Sequence, residues 1–205
     1  EVPHPVSDEE AVFTEPLAAA LRIHEQFNVR PTARIAVVGP GRLGLLAAQV
    51  LALGAGDVIV LGRRSNSLAL PAQLGLKIGL VDQQPDDAFD LVVEATGNDA
   101  GFAHSLRLVR PRGTLVLKST FHGQAHINLT KLVVGEVTVI GSRCGPFAPA
   151  LRLLELSATS KKKLRAGAGI QVMPMIEADY PLRNGLDAFE HAARPGARKI
   201  LLRPN

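Results

Sequence analysis

The sequence predicts an α/β fold, a doubly wound parallel sheet, and three observations carry that prediction. Short runs rich in Val, Ile and Leu recur along the chain and alternate with longer helix-forming stretches. The runs are apolar at successive positions, as strands buried on both faces of a parallel sheet must be. At the junction of one such run with the helix after it, VVGPGRLGLLAAQVLALGAGDVIVLGRR (37–64) sets Gly39, Gly41 and Gly44 in G-x-G-x-x-G order.

Taken in order, residues 1–7 are punctuated by proline and irregular. Ser7-Asp8-Glu9-Glu10 is a helix start, a serine cap with a glutamate three residues on. That helix is predicted to run to about residue 27, with Pro16 as a place where it breaks or kinks. Arg30-Pro31-Thr32 ends the segment. Strands are predicted over 34–38 (RIAVV), 57–61 (DVIVL), 90–94 (DLVVE), 114–118 (TLVLK) and 137–140 (VTVI), with a weaker one over 77–81. Helices are predicted over 42–53, 66–74, 100–109 and 147–156. This is repeated βαβ. Residues 157–169, with Lys161-Lys162-Lys163, Gly167 and Gly169, read as a solvated helix end or loop. Strands over 175–180 and 198–202 flank a helix over 184–193.

Composition narrows the function classes. The chain has 205 residues and is 46 % hydrophobic, enough for a substantial core. Aromatic residues make up 4 %, with no Trp and one Tyr, which leaves no stacking surface for single-stranded nucleic acid. A net charge of +4 is that of an ordinary soluble protein rather than of a nucleic-acid binder, and a basic pocket for one phosphorylated small molecule also fits it. Cys144, the single cysteine, allows no internal disulfide and fits a reducing cytoplasm. The longest uncharged stretch, between Arg42 and Asp57, is shorter than the roughly 20 residues of a membrane helix. The chain opens Glu1-Val2-Pro3 without an initiator Met or a signal peptide, as a piece of a longer polypeptide would.

The glycine loop carries chemistry. Gly39 permits a tight turn, Gly41 lets backbone N–H groups approach a pyrophosphate, and Gly44 allows the helix to pack closely. Arg42 and Leu43 open the helix, whose free N–H groups and positive dipole end favour an anion. With a strand before the loop and another after the helix, the pattern points to a dinucleotide. A site for NAD carries Asp or Glu at the end of the second strand, on the ribose hydroxyls. Here that position is Gly62, followed by Arg63 and Arg64. Glycine makes room for a 2′-phosphate and arginine pairs with it, so NADP is the expected cofactor and NAD the alternative. On this reading Gly62→Asp shifts the preference to NAD.

Several segments together resemble the medium-chain dehydrogenase/reductase superfamily, in its zinc-dependent alcohol and polyol dehydrogenase branch. They are SDEEAVFTEPLAAAL (7–21), VVGPGRLGLLAAQVLALGA (37–55), DLVVEATG (90–97), LRLVRPRGTLVLKST (106–120) and PLRNGLDAFEHAARPGARKILL (181–202). The resemblance implies a two-domain, cytoplasmic enzyme that passes hydride between a nicotinamide cofactor and a small alcohol or carbonyl, with a zinc ion polarising the oxygen. It implies that residues 1–30 are a remnant of the catalytic domain. Residues 31–145 are then the dinucleotide-binding Rossmann domain, and 146–205 its remainder and a return segment. By the same resemblance Thr96, Gly97 and Asn98 lie near the cofactor bridge, and Leu117, Lys118 and Ser119 beside the nicotinamide. Thr138 and Ile140 hold its carboxamide through backbone, and Arg198 reaches the phosphates. Leu117, Thr138 and Ile140 are also expected to be buried strand residues.

Glu15, in FTEPLA, falls where polyol-type members carry a carboxylate associated with the zinc. The family's other ligands lie upstream of the motif, so this chain is expected to bind cofactor without holding zinc or turning over substrate. His122 and His126 are four apart in FHGQAH, but Gly123 argues against one helical face, and Cys144 has no base beside it in sequence. Three other functions remain open: a zinc-independent quinone or enone reductase, a methyltransferase using S-adenosylmethionine, and a non-catalytic nucleotide-binding module. The strand near 137–140 and the loop after it lie where members often pair subunits, so a homo-oligomer is one of the states the sequence leaves open.

Overall fold

The computed structural model describes residues 1–54, 57–120, 126–160 and 169–204. Six parallel strands form the central sheet: β1 (Arg34–Val38), β2 (Asp57–Gly62), β3 (Lys77–Leu80), β4 (Phe89–Glu94), β5 (Val109–Leu117) and β6 (Thr138–Gly141). Their spatial order is β3-β2-β1-β4-β5-β6. The chain winds outward from β1 through β2 and β3, returns across it, and winds the other way through β4, β5 and β6. This is the doubly wound Rossmann order expected from the sequence, and it places the reversal between β1 and β4.

The helices are α1 (Asp8–Ala11), α2 (Thr14–Gln26), α3 (Arg42–Ala52), α4 (Ala69–Gln73), α5 (Asp99–Leu108), α6 (Leu129–Val134), α7 (Phe147–Ser160) and α8 (Gly185–Ala192). They cover both faces of the sheet. In β1, Ile35 and Val37 join a core layer with Phe13, Leu17 and Ile23 of the N-terminal segment, Leu46 of α3 and Leu154 of α7. Ala36 and Val38 point the other way, into a layer with Leu61, Phe102 and Leu106. Burial on both faces explains the unbroken apolar runs. Since α3 and α5 leave β1 and β4 toward opposite faces, a crevice opens between them at the carboxyl ends of the strands.

The structure departs from the sequence reading in four places. The single helix expected over 8–27 is two helices, and the break falls at Val12 and Phe13 rather than at Pro16. Phe13 turns inward and is 1 % exposed. Pro16 sits in the first turn of α2, where a missing N–H has no partner to lose. The helix expected over 66–74 begins as a 3₁₀ turn, Ser65–Leu68. Helix α6 was not expected; it is short, is capped by Asn128, and buries none of its residues. Strand β6 is the sheet edge, so Thr138, expected to be buried, is exposed, and Leu117 and Ile140 are only half-buried.

The C-terminal segment returns across α3. The side-chain amide of Gln49 accepts from the Gln171 backbone N–H at 2.7 Å and donates to the Gln171 carbonyl at 3.3 Å. Beyond it, β7 (Ile176–Pro181) and β8 (Lys199–Arg203) pair in parallel around α8. The loop between α8 and β8 thereby reaches the glycine loop.

Candidate functional site

The three glycines of the loop do three different things. Gly39 has φ +107°, a conformation L residues rarely adopt, and its N–H donates to the Leu61 carbonyl at 3.0 Å. An added Cβ there would lie 2.8 Å from the Ala95 carbonyl group. Gly44 packs against the loop itself, since its Cβ would sit 2.0 Å from the Gly39 oxygen. Gly41, the N-cap of α3, faces open space, with nothing within 4 Å of an added Cβ. Above it, the backbone N–H groups of Arg42, Leu43 and Gly44 have no partner within the helix, and no side chain caps them. A phosphate group fits this cradle by both its space and its free donors.

Gly62 ends β2, and its surroundings correct one expectation. A Cβ at this position would lie 2.7 Å from Ser67 Oγ and 2.9 Å from Leu68 Cδ2. Ser67 is held there by two bonds to the Arg64 carbonyl, from its hydroxyl at 2.6 Å and its N–H at 3.1 Å. Leu68 is buried. Aspartate at 62 therefore requires the Ser67 and Leu68 side chains to shift, so the exchange of preference expected for Gly62→Asp carries a packing cost. Arg63 and Arg64 are exposed, and neither has a carboxylate partner among the described residues.

The loop after β4 forms the facing wall. Glu94, fully buried, accepts at Oε1 from the Thr96 N–H (2.6 Å), the Thr96 hydroxyl (2.5 Å) and the Gly97 N–H (3.2 Å). Asn98 caps α5 by accepting from the Gly101 N–H at 2.9 Å. Gly101 has to be small, because its Cβ would overlap the Thr96 hydroxyl. Glu94 and Gly101 were missed in the sequence. The signal was an acid ending an otherwise apolar strand, followed by T-G-N.

Two adjoining clefts of about 700 and 820 Å³ meet at Pro40 and Gly41. Gly39, Arg63, Arg64, Thr96, Asn98 and His104 line the first. Arg42, Leu43, Arg194 and Arg198 line the second, and Asn66, Ser67 and Gly196 belong to both. Among the described residues no Asp or Glu lines either cleft. Several arginines elsewhere meet acids, as Arg34 meets Asp57, Arg107 Asp86, Arg110 Asp90 and Arg203 both Glu9 and Asp179. Around the clefts Arg42, Arg63, Arg64 and Arg194 have no such partner among the described residues. Arg198 lines the second cleft but is engaged, 3.6 Å from Glu177 and donating to the Pro174 carbonyl at 3.1 Å. Arg194 and Asn66 were not singled out in the sequence.

The remaining sequence candidates lie beyond the clefts, where β4, β5 and β6 end side by side. Lys118 N–H donates to the Glu94 carbonyl, and an added Cβ on Gly97 would lie 3.8 Å from Ser119 Cβ. Lys118 is 6 % exposed, and its ammonium donates to Ser142 Oγ at 2.9 Å and to the Arg143 carbonyl at 2.6 Å. Burial pushes its pKa down to about 8, with Arg22 helping and Cys144 and Glu15 opposing. Ile140 is next to the last residue of β6. Thr138 pairs with Thr114, three residues short of that end, so the structure does not bring it to the clefts.

Glu15, exposed at the start of α2, has a neighbour the sequence did not reveal. Cys144 Sγ donates to its Oε1 across 3.8 Å. Two donors do not make a zinc site, and among the described residues no group of three His, Cys, Asp or Glu could hold a metal. His122 lies outside the described residues; His126 is exposed and pairs with Asp99 at 3.0 Å. The run Lys161-Lys162-Lys163 and Gly167 also lie outside them.

Comparison with known proteins identifies the family. Residues 43–158, more than half of the chain, match the model described as zinc-binding dehydrogenase. The chain belongs to this family. It corresponds to the cofactor-binding C-terminal part of a medium-chain dehydrogenase/reductase. It is 28 % identical to sorbitol dehydrogenase of Halalkalibacterium halodurans, over 99 % of this chain and 61 % of that protein. It is 25 % identical to D-arabinitol dehydrogenase 1 of Uromyces fabae, over 98 % of the chain and 60 % of the relative. A candidate zinc-binding dehydrogenase of Sinorhizobium meliloti 1021, solved with NADP bound, shares the fold at a TM-score of 0.85 and 24 % identity, over 100 % of this chain and 62 % of that one. Alcohol dehydrogenase TADH of Thermus sp. ATN1 aligns at 0.82 and 25 % identity, over 100 % and 61 %. The chain thus spans about three fifths of the length of the curated relatives it matches. Among the described residues no helix is long and apolar enough to cross a membrane.

Proposed function

We propose that this chain binds the cofactor of an NADP-preferring alcohol or polyol dehydrogenase. The observation that carries the reading is the pair of clefts around Gly41, lined by Arg42, Arg63, Arg64 and Arg194 without counter-charges and, among the described residues, by no carboxylate. In this reading the N–H groups of Arg42, Leu43 and Gly44 hold the pyrophosphate, with Arg194 and Arg198 at its flank. Arg63 and Arg64 hold the 2′-phosphate of the adenosine ribose. Thr96, Gly97 and Asn98 shape the passage toward the ends of β5 and β6. There Leu117, Lys118, Ser119 and Ile140 form the nicotinamide end, and Thr138, three residues short of it, is left out. The cofactor, when bound, supplies a hydride or accepts one. The chain's own residues orient it and neutralise its phosphates.

The assignment of residues 1–30 and 146–205 as segments that lead to a catalytic domain, around a Rossmann domain of 31–145, belongs to the same proposal. So do a small alcohol or carbonyl substrate, a zinc ion completed by ligands from a longer protein, assembly as a homo-oligomer, and a cytoplasmic setting. Alone, this chain is expected to bind cofactor without turnover. The test is a pair of calorimetric titrations. A charge-assisted bond to phosphate contributes about 1.5–3 kcal/mol, so NADP is expected to bind about tenfold or more tightly than NAD. Equal affinity, or a preference for NAD, refutes the cofactor assignment.

A further inference from the structure

Behind the wall of the second cleft, side chains of β7 and α8 form a hydrogen-bonded line that ends on Arg198. An ionised carboxylate only accepts, so His191 Nε2, 3.0 Å from Glu177 Oε1, carries a proton and donates it. The other ring nitrogen, Nδ1, then accepts from the Tyr180 hydroxyl at 2.9 Å, and the two rings meet edge to face with centroids 5.9 Å apart. Glu177 Oε2 takes the Arg198 N–H at 2.7 Å and lies 3.6 Å from the guanidinium Nε. The Arg198 N–H, with His191 helping, holds the Glu177 carboxyl below its ordinary range, so it stays charged at neutral pH. The His191 side chain is 15 % exposed, which limits how far water screens its interaction with Glu177.

Among the arginines that line the clefts, Arg198 alone has an acid partner among the described residues. That partner faces two ways. While His191 is neutral, Glu177 offsets the charge of Arg198. Once His191 is protonated, the carboxylate is paired through its other oxygen, and Arg198 presents its charge to the cleft. Histidine makes this change near neutral pH. The other charged groups on the elements around His191 are Asp187 and Glu190 of α8, Arg183 before it, Arg194 after it, Asp179 of β7, and Lys199 and Arg203 of β8. Asp179 pairs with Arg203, and Lys199 donates to the Val12 carbonyl. None of these groups bonds to the His191 ring among the described residues.

We infer that Glu177 is a counter-ion shared by Arg198 and His191, through which protonation of His191 releases the charge of Arg198 to the cofactor phosphates. The inference rests on the proposed cofactor reading and makes Glu177 and His191 positioning residues within it. Affinity for the cofactor then rises as pH falls through the titration of His191, because the protonated form binds an anion better.

The experiment titrates the 205-residue chain and its H191Q and E177Q variants with NAD by calorimetry from about pH 5.5 to about pH 8.5, recording Tm for each. NAD is the probe because its two phosphates stay charged throughout, whereas the 2′-phosphate of NADP titrates at about pH 6. Parent affinity is expected to rise about two- to fivefold as pH falls across this range. H191Q keeps an N–H donor for Glu177 without a titrating ring, and is expected to lose that rise and stay at the parent's high-pH affinity. E177Q removes the offsetting charge, and is expected to bind NAD more tightly than the parent at the high-pH end, with a flatter profile. A merely structural Glu177 predicts the reverse, weaker binding at every pH. His104 and Lys118 are present in all three proteins, so the differences between profiles isolate His191. An H191Q profile as steep as the parent's, or an E177Q variant weaker than the parent at the high-pH end, overturns the inference while leaving the cofactor reading intact. Failure of the parent chain to bind NAD or NADP at any pH overturns both.

Discussion

At the scale of single residues, two glycines three positions apart have opposite roles, and substitutions separate them. Gly41 has extended backbone, φ −79° and ψ −178°, which a β-branched residue adopts readily, and its Cβ position is empty. Gly41→Val is expected to fold with a loss of about 1 kcal/mol or less at the cap. Cofactor affinity should fall at least about tenfold, because the side chain then occupies the phosphate cradle. Gly44→Ala puts a methyl 2.0 Å from the Gly39 oxygen. It is expected to cost about 1–3 kcal/mol or more in denaturant unfolding, with the loss of binding following from the distorted loop. Unchanged affinity in Gly41→Val refutes the cradle. The motif was legible because glycine spacing encodes the turn directly. The reason for Gly62 was not, since what presses on it, Ser67 and Leu68, is a matter of how the next six residues fold.

At the scale of elements, strands were easier to find than their surroundings. The runs at 34–38 and 90–94 lie in the middle of the sheet, and burial on both faces writes itself into the sequence. The run at 137–140 has the same residues and lies at the edge, where nothing covers Thr138. Apolar composition alone does not distinguish those places. The meeting of Glu15 with Cys144, and of Lys118 with Ser142, joins residues from different elements, which no local pattern records.

Lys118 makes the end of β5 testable. The unfolded chain holds that proton up to about pH 10.5, whereas the folded one releases it near 8. Between these values the unfolded state binds more protons, so this residue's contribution to stability rises with pH. Below pH 8 both states are charged and the cost of the buried ammonium is present in full. Replacing Lys118 by Met removes the cost and its pH dependence. The difference in stability between Lys118→Met and the parent is expected to favour the variant at pH 7 and to shrink as pH approaches 10. Urea unfolding at several pH values measures it; a difference independent of pH would falsify the buried-ammonium account.

At the scale of the whole molecule, the strand order was legible because alternating βαβ units admit few windings. The clefts were only half legible, since Arg194 reaches them from the turn after α8, which sequence spacing does not connect to the glycine motif. Their charge now sets an expectation for the entire surface. The chain carries +4 in total, and Arg42, Arg63, Arg64 and Arg194, which have no acid partner among the described residues, line the clefts where a dinucleotide with phosphate groups is proposed to bind. Both cofactors share the pyrophosphate, and only NADP adds charge beside Arg63 and Arg64. These arginines are exposed, so their share of the attraction is screened as the Debye length falls from about 10 Å at 0.1 M salt to about 3 Å at 1 M. Affinity for NADP is therefore expected to fall more steeply with salt than affinity for NAD, and the preference to narrow. In Arg63→Ala/Arg64→Ala the two salt slopes should become parallel, while NAD binding stays within about twofold of the parent. Parallel slopes in the parent itself would mean that both side chains point away from the bound ribose.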